Sequence, residues 1–373
     1  MTRWLSKLVP PWLSGYGVAM LGPDVVAGLV LAVLLVPQAM AYATLAGLPP
    51  EVGLYTAMVA PLGYAALGRS AFVSVGPVAL ASLLVADAVQ GQSIAPVQAG
   101  TIMAIQVGLM LTALGLARLG RLVNFVSEPA LLGFTAAVAV LICASQLPVM
   151  LGVEMGRTGN LWDLWQELGT VEGIDLPTSL LGAAVLVVLL LGNRYAAPAL
   201  RGLGLSDQVA LSASKTVPLL AITAAALLAP TLAPGTGLVA EPDGGLPMPR
   251  LPRAGLDAWL ALLLPSAIVA VVVFVTGTAV SKSLSSRRRE APKTDAEAVA
   301  VGAANVAVAL TGGYVAGVSL SRSALVHDCG ARSPLATAFA GLVVLPVILF
   351  GGPLLARLPE TALAALVIAA VFG

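Results

Sequence analysis

The chain has 373 residues, of which 58% are apolar and only 10% charged, with a formal net charge of +1. Ordinary soluble domains are roughly a quarter charged, so this composition excludes a water-solvated globule and describes a polytopic membrane protein in a lipid bilayer. The near-neutral balance excludes a nucleic-acid footprint, and two cysteines in or beside apolar stretches with one histidine leave no disulfide framework, metal cluster or cofactor to expect.

Residues 1–23 are short of a span, interrupted by Pro10-Pro11, and carry Trp4, Leu5 and Trp12. They read as an interfacial lead-in rather than a signal peptide. Stretches long enough for a ~30 Å hydrocarbon core predict full spans at 24–42, 52–67, 99–117, 126–147, 176–193, 207–230, 258–281, 296–311, 335–352 and 359–373. Half-length helices are predicted near 76–88 and 321–331. Threading from a cytoplasmic N-terminus puts Arg69, Arg118, Arg121, Arg194, Arg201, Lys282 and the run Arg287-Arg288-Arg289 on the cytoplasmic side of a cell inner membrane. Only Arg157, Arg250, Arg253 and Arg357 fall outside, as the positive-inside rule requires. The external stretch 148–176, with Glu154, Trp162, Asp163, Trp165, Glu167, Glu172 and Asp175, reads as a short amphipathic cap.

In this threading the segment from Asp24 leaves the cytoplasm, and the segment from Ala258, seven segments later, enters it. An odd number of crossings per half is what an inverted repeat requires. The first repeat is then 24–257 and the second 258–373, with a half-helix in the third place of each. The chain stops at Gly373 within an apolar segment, so the last two spans of the second repeat are expected to be absent from it.

The chemistry concentrates at the two breaks. Ser74-Val75-Gly76-Pro77-Val78-Ala79-Leu80 and Gly317-Val318-Ser319-Leu320-Ser321-Arg322-Ser323-Ala324-Leu325 each join small polar residues to a short apolar run. A half-helix that starts mid-bilayer aims unpaired N–H groups and the positive end of its dipole beyond its first residue. Two such N-termini facing each other make an anion pocket. Gly76 is expected to permit the turn, and Pro77 to sit in the first helical turn where its missing N–H costs nothing. Ser319 and Ser321 are expected as caps or hydroxyl donors, and Arg322 as a full positive charge that wants an anion. The competing roles are an arginine that bridges carbonyls or snorkels, serines that only pack helices, and a simple kink at Gly76-Pro77.

Pro37 is expected to break the first span, while Gln38 and Tyr42, four residues apart, share a face. They suit an amide donor and an aromatic wall for the same pocket, or glue between helices. Thr276 lies at similar depth in the second half. Lys215, inside a predicted span, more readily snorkels or braces a neighbour than touches a substrate.

These motifs, with Asp24 and Ala27-Gly28, Pro37-Gln38-Ala39-Met40-Ala41-Tyr42-Ala43, Gly47-Leu48-Pro49-Pro50, Gly53-Leu54-Tyr55, Ser127-Glu128-Pro129, Gly133-Phe134-Thr135, Ser281-Lys282-Ser283, Ala303-Ala304-Asn305 and Gly330-Ala331-Arg332-Ser333-Pro334-Leu335, resemble the SulP family. These are bacterial relatives of the animal sulfate, chloride and bicarbonate carriers and of prestin. The resemblance implies an all-α fold of two inverted seven-segment repeats. It also implies a core domain (about 24–119 and 258–356), a gate domain (about 120–257 and 357–373), and often a cytoplasmic STAS domain afterwards. Carried over, the family's anion site falls on Gln38, Tyr42, Gly76, Val78, Ala79, Ser319, Leu320, Ser321 and Arg322. Many relatives hold a glutamate where this chain has Thr276, which leaves proton coupling open.

The expectation is therefore a secondary transporter that moves a small anion by alternating access. Sulfate, bicarbonate, chloride and a dicarboxylate such as fumarate are the candidates, with the dicarboxylate favoured. Protons or a counter-anion and a second copy in a homodimer are the further partners expected. A nucleobase permease of the same fold and a non-transporting, voltage-responsive module are the alternatives. An enzyme is not expected, because one histidine and no paired intramembrane carboxylates leave few acid–base groups.

Overall fold

A computed structural model describes residues 12–120, 128–153, 173–240, 245, 252–288 and 293–372. Its apolar runs fold as helices because lipid offers the backbone no hydrogen-bond partner. In chain order these are α1 (Val18–Leu45), α2 (Pro50–Leu67), strand β1 (Ser74–Gly76), α3 (Ala79–Val89), α4 (Pro96–Leu116), α5 (Glu128–Leu151) and α6 (Leu176–Gly202). Then come α7 (Asp207–Ser214), α8 (Val217–Leu232), α9 (Leu256–Ala261), α10 (Leu263–Arg288), α11 (Thr294–Leu310), strand β2 (Gly317–Ser319), α12 (Leu320–Asp328), α13 (Leu335–Phe350), α14 (Gly352–Leu355) and α15 (Glu360–Phe372). Among the described residues five helical stretches are long and apolar enough to cross a membrane: Val18–Leu45, Pro96–Leu116, Leu176–Gly202, Val209–Leu232 and Leu263–Ser286. Of the lead-in, Trp12 donates from its indole to the Ala65 carbonyl at 2.8 Å; Trp4 and Leu5, and most of the expected external cap, lie outside the described residues.

Several boundaries differ from expectation for identifiable reasons. Helix α1 begins before Asp24 and continues through Pro23 and Pro37, so the expected break at Pro37 does not occur. Burial against α2 and α13 holds the helix although one donor is lost. The predicted span 207–230 is interrupted instead. Lys215 and Thr216 turn back on Ser212 and Ala213, and Pro218 brings no N–H to continue the ladder. Half-helix α12 stops at Asp328 because Gly330, at φ +78°, forms a Schellman cap: Ala331 N–H reaches Val326 O at 3.2 Å and Gly330 N–H reaches His327 O at 2.9 Å.

Packing falls into two groups. Helices α1 to α4 and α10 to α13 contact one another extensively, as do α5, α6, α7, α8 and α15, whereas contacts between the groups are sparse. Small residues permit the tightest crossings. A Cβ on Gly108 of α4 would meet Gly302 O at 2.8 Å, and one on Gly302 of α11 would meet Gly108 O at 2.6 Å. Close approach of this kind is what holds helices together where apolar burial gives no preference for protein over lipid.

The two half-helices are each preceded by extended backbone, and β1 pairs antiparallel with β2: Ser74 with Ser319, Val75 with Val318, Gly76 with Gly317. The chain leading into β2 takes its hydrogen bonds from helix side chains. Asn305, 0% exposed, accepts from Ala316 N–H and donates to Ala316 O, at 2.8 and 2.9 Å. Thr56 accepts from Tyr314 N–H at 3.0 Å, and Thr101 donates to Gly313 O at 3.2 Å. The far end is pinned by Asp24, which accepts from Arg332 N–H (2.6 Å), Ser333 N–H (3.2 Å) and Ser333 Oγ (2.6 Å).

Two predictions follow from this packing. Gly302→Val should lower stability by about 1–3 kcal/mol, read as a fall in the melting temperature of the detergent-solubilised protein; an unshifted temperature contradicts the close α4–α11 crossing. Asn305→Leu strands the N–H and C=O of Ala316, each at a cost of about 1–3 kcal/mol, and should destabilise more than Asn305→Asp, which keeps the acceptor.

Candidate functional site

The antiparallel strand pair leads into α3 at one end and into α12 at the other, so the two helix starts face each other across it. Val78 is the N-cap of α3 and no side chain caps it; the first helical bond runs from Ser82 N–H to Val78 O at 3.0 Å. The N–H groups of that first turn therefore lack intrahelical acceptors. At α12, Ser319 Oγ accepts from Arg322 N–H at 3.4 Å and stands 3.3 Å from Ser321 Oγ. Positive dipole ends from two helices thus meet across one strand pair.

Arg322 is the largest fully buried side chain, at 1% exposure. Its Nε donates to Ser74 Oγ at 3.4 Å and its Nη1 to Gln38 Oε1 at 3.3 Å. Its Nη2 is buried with no partner. No carboxylate pairs with it among the described residues. A buried cation with an unpartnered Nη2, beside helix N-termini and with no carboxylate partner among the described residues, is an arrangement chemically suited to an anion.

The arrangement gathers Gln38, Gly76, Ser319 and Arg322 as expected from the sequence, with Tyr42, 6% exposed, one helical turn beyond Gln38. Val78 and Ala79 form the start of α3, and Leu320 and Ser321 the start of α12; Leu320 is 53% exposed and Ser321 also exposed. Gly76 serves a purpose other than the expected turn. It lies within extended β1, and a Cβ there would stand 3.5 Å from Arg322 Nη2, so its missing side chain keeps the space before the open donor clear. Pro77 follows the strand as the residue before the N-cap rather than in the first turn of α3. The Thr276 hydroxyl donates to Val272 O at 2.8 Å and Val273 O at 3.3 Å in its own helix. Lys215 is the C-cap of α7.

Sequence reasoning missed the residues that seat the arginine. Ser74 accepts from Arg322, and Ser323 Oγ accepts from Ser74 N–H at 2.9 Å, which ties the root of β1 to α12. Ser82 and Tyr314 share a hydrogen bond of 2.8 Å beneath them. The available signal was the isolation of each polar residue in an apolar segment, where a hydroxyl without a local role must have a distant partner.

With this geometry established, four known proteins are informative. A probable sulfate transporter of Mycobacterium tuberculosis is 35% identical over 371 residues, 96% of this chain and 61% of that protein. The chloroplastic sulfate transporter 4.1 of Arabidopsis thaliana is 32% identical over 384 residues, 100% of this chain and 54% of that protein. The chain therefore spans somewhat over half the length of these relatives. The structure of the murine Solute Carrier 26 family member A9 anion transporter in the inward-facing state superposes with a TM-score of 0.84 at 21% identity, covering 99% of this chain and 63% of that one. The transmembrane domain of BicA, a cyanobacterium bicarbonate transporter, superposes with a TM-score of 0.82 at 20% identity, covering 96% and 90%. At such identities the two structures speak for the fold alone, and they share it. The profile described as the Sulfate permease family matches residues 21–373, and on that match this multi-pass membrane chain belongs to the sulfate permease family.

Proposed function

We propose that the chain is the membrane part of a secondary transporter that carries a small inorganic oxyanion, foremost sulfate, across the plasma membrane by alternating access, its N-terminus on the cytoplasmic side. The observation that carries this reading is the unpartnered Nη2 of Arg322, buried between two helix N-termini. An anion accepting from Nη2 would complete the hydrogen bonding of the guanidinium and neutralise a charge that has no carboxylate partner. Sulfate takes precedence over the dicarboxylate expected from the sequence because the relatives at 35% and 32% identity carry sulfate in their names.

The two packing groups supply the moving parts. The group of α1 to α4 and α10 to α13 carries the whole site as the core, and the sparsely contacting group of α5 to α8 and α15 acts as the gate. Displacement of one against the other exposes the pocket to alternate sides without remaking the site. Coupling is assigned to anion exchange rather than proton symport, since Thr276 has no titratable group and its hydroxyl bonds its own helix.

In proteoliposomes holding the full-length protein, Arg322→Ala is expected to lower kcat/KM for labelled sulfate about tenfold to a hundredfold. That range corresponds to a charge-assisted hydrogen bond of about 1.5–3 kcal/mol. Gly76→Ala, which sets a methyl before Nη2, should raise KM without loss of protein from the membrane. Unchanged kinetics in both variants would remove the pocket from the transport path. Uptake should be supported by internal sulfate and indifferent to an imposed pH gradient; uptake that requires the gradient overturns the exchange assignment, and fumarate outcompeting sulfate overturns the substrate.

A further inference from the structure

A second polar cavity lies at the end of the core group assigned to the cytoplasm. It has a volume of about 160 Å³ and is bounded by the loop before β1, the C-terminal part of α10, the start of α11 and the residues after α12. Three cations line it, Arg69, Lys293 and Arg332, together with the hydroxyls of Ser70, Ser281 and Ser285. Glu297 is the single carboxylate in the wall among the described residues. It is 6% exposed; one oxygen meets the Tyr64 hydroxyl, the other accepts from Arg69 N–H at 3.3 Å, and its charge also acts on Lys293. One carboxylate against three cations leaves a positive excess.

The cavity also abuts the N-terminus of α11, a helix of 17 residues whose N-cap, Lys293, makes no side-chain cap. The dipole of that turn adds to the same field, offset in part by Asp295 and Glu297 in its first turn. The backbones bearing two of the cations are fixed, Arg332 by its N–H on the buried Asp24 carboxylate at 2.6 Å and Arg69 by its N–H on Glu297. Three exposed cations brought to one polar cavity from three separate segments, two of them on anchored backbone, concentrate positive charge around a concave surface.

We infer that this cleft binds a tetrahedral oxyanion, a phosphate- or sulfate-like group, either free in solution or borne on a lipid headgroup. The inference goes beyond the transport reading and does not rest on it, because none of the lining groups touches Arg322. Phe72 in its wall lies just ahead of β1, so an occupant sits at the root of the arm that presents Gly76 to the buried arginine.

The test uses the full-length protein with Arg322→Ala as the parent, so that the interior pocket is silenced. Two probes separate the sources: labelled inorganic sulfate on the detergent-solubilised protein, and phosphatidylcholine nanodiscs with or without phosphatidic acid, read as the melting temperature. The parent is expected to retain saturable sulfate binding, weakened at least tenfold by Lys293→Gln or Arg332→Gln and restored by Arg332→Lys. Because the Asp24 anchor uses the backbone of Arg332, these side-chain changes leave it in place, and circular dichroism confirms the fold. Stabilisation by phosphatidic acid without sulfate binding, lost in the same glutamine variants, assigns the site to a lipid phosphate. Absence of both responses in the parent, or responses indifferent to the glutamine variants, overturns the inference.

Discussion

Backbone that is neither helical nor solvated must find its hydrogen bonds inside the protein once it lies at membrane depth, and this requirement organises the whole chain. Residues 74–76 and 317–319 meet it by pairing with each other. Residues 313–316 meet it through Thr101, Thr56 and Asn305, contributed by three helices of one packing group. Unsatisfied amide groups in hydrocarbon are costly enough that such contacts amount to a specification. The extended arms can sit in only one place, and that place brings two helix N-termini together. Close glycine crossings such as Gly108 against Gly302 let the supporting helices come near enough for short side chains to reach the arms.

The same arrangement makes a buried arginine tolerable and useful. A cation at the centre of a bilayer costs at least about 2.5–3.5 kcal/mol, and Arg322 offsets part of that through Ser74 and Gln38. Its Nη2 is left without a partner, and no carboxylate pairs with it among the described residues. A permanent acidic partner would neutralise the site and close it to an external anion. Two neutral acceptors hold the guanidinium plane while its charge stays available, and the glycine at position 76 keeps the approach open. Family membership and the shared fold agree with this local reading, although the pocket's chemistry is derived from its own residues.

Much of this was legible in the sequence, and the limits have physical causes. Hydropathy marks spans well because lipid admits few alternatives to a helix, and two short apolar runs beside Gly76-Pro77 and Ser319-Ser321 are visible as half-helices. Arg322 stands out because nothing else explains a cation there. The proline rule misled at Pro37, which is accommodated within a helix packed on two neighbours, whereas Pro218 accompanies the turn between α7 and α8, and only packing distinguishes them. The short strands were not foreseen, since a three-residue pairing has no periodicity to detect. The roles of Ser74, Ser323, Asn305 and Thr56 depend on partners about 250 residues away in some cases, or across a break in others, which local pattern does not encode.

The central claim is that the joined ends of α3 and α12, with Nη2 of Arg322 between them, hold an anion. Anomalous diffraction from crystals soaked in selenate, a heavy analogue of sulfate, tests it most directly. The account predicts a selenium peak in contact with Nη2 of Arg322 and with the first N–H groups of α3 and α12. Selenate absent from that position at saturating concentration, with Nη2 instead bonded to a protein group, would contradict it.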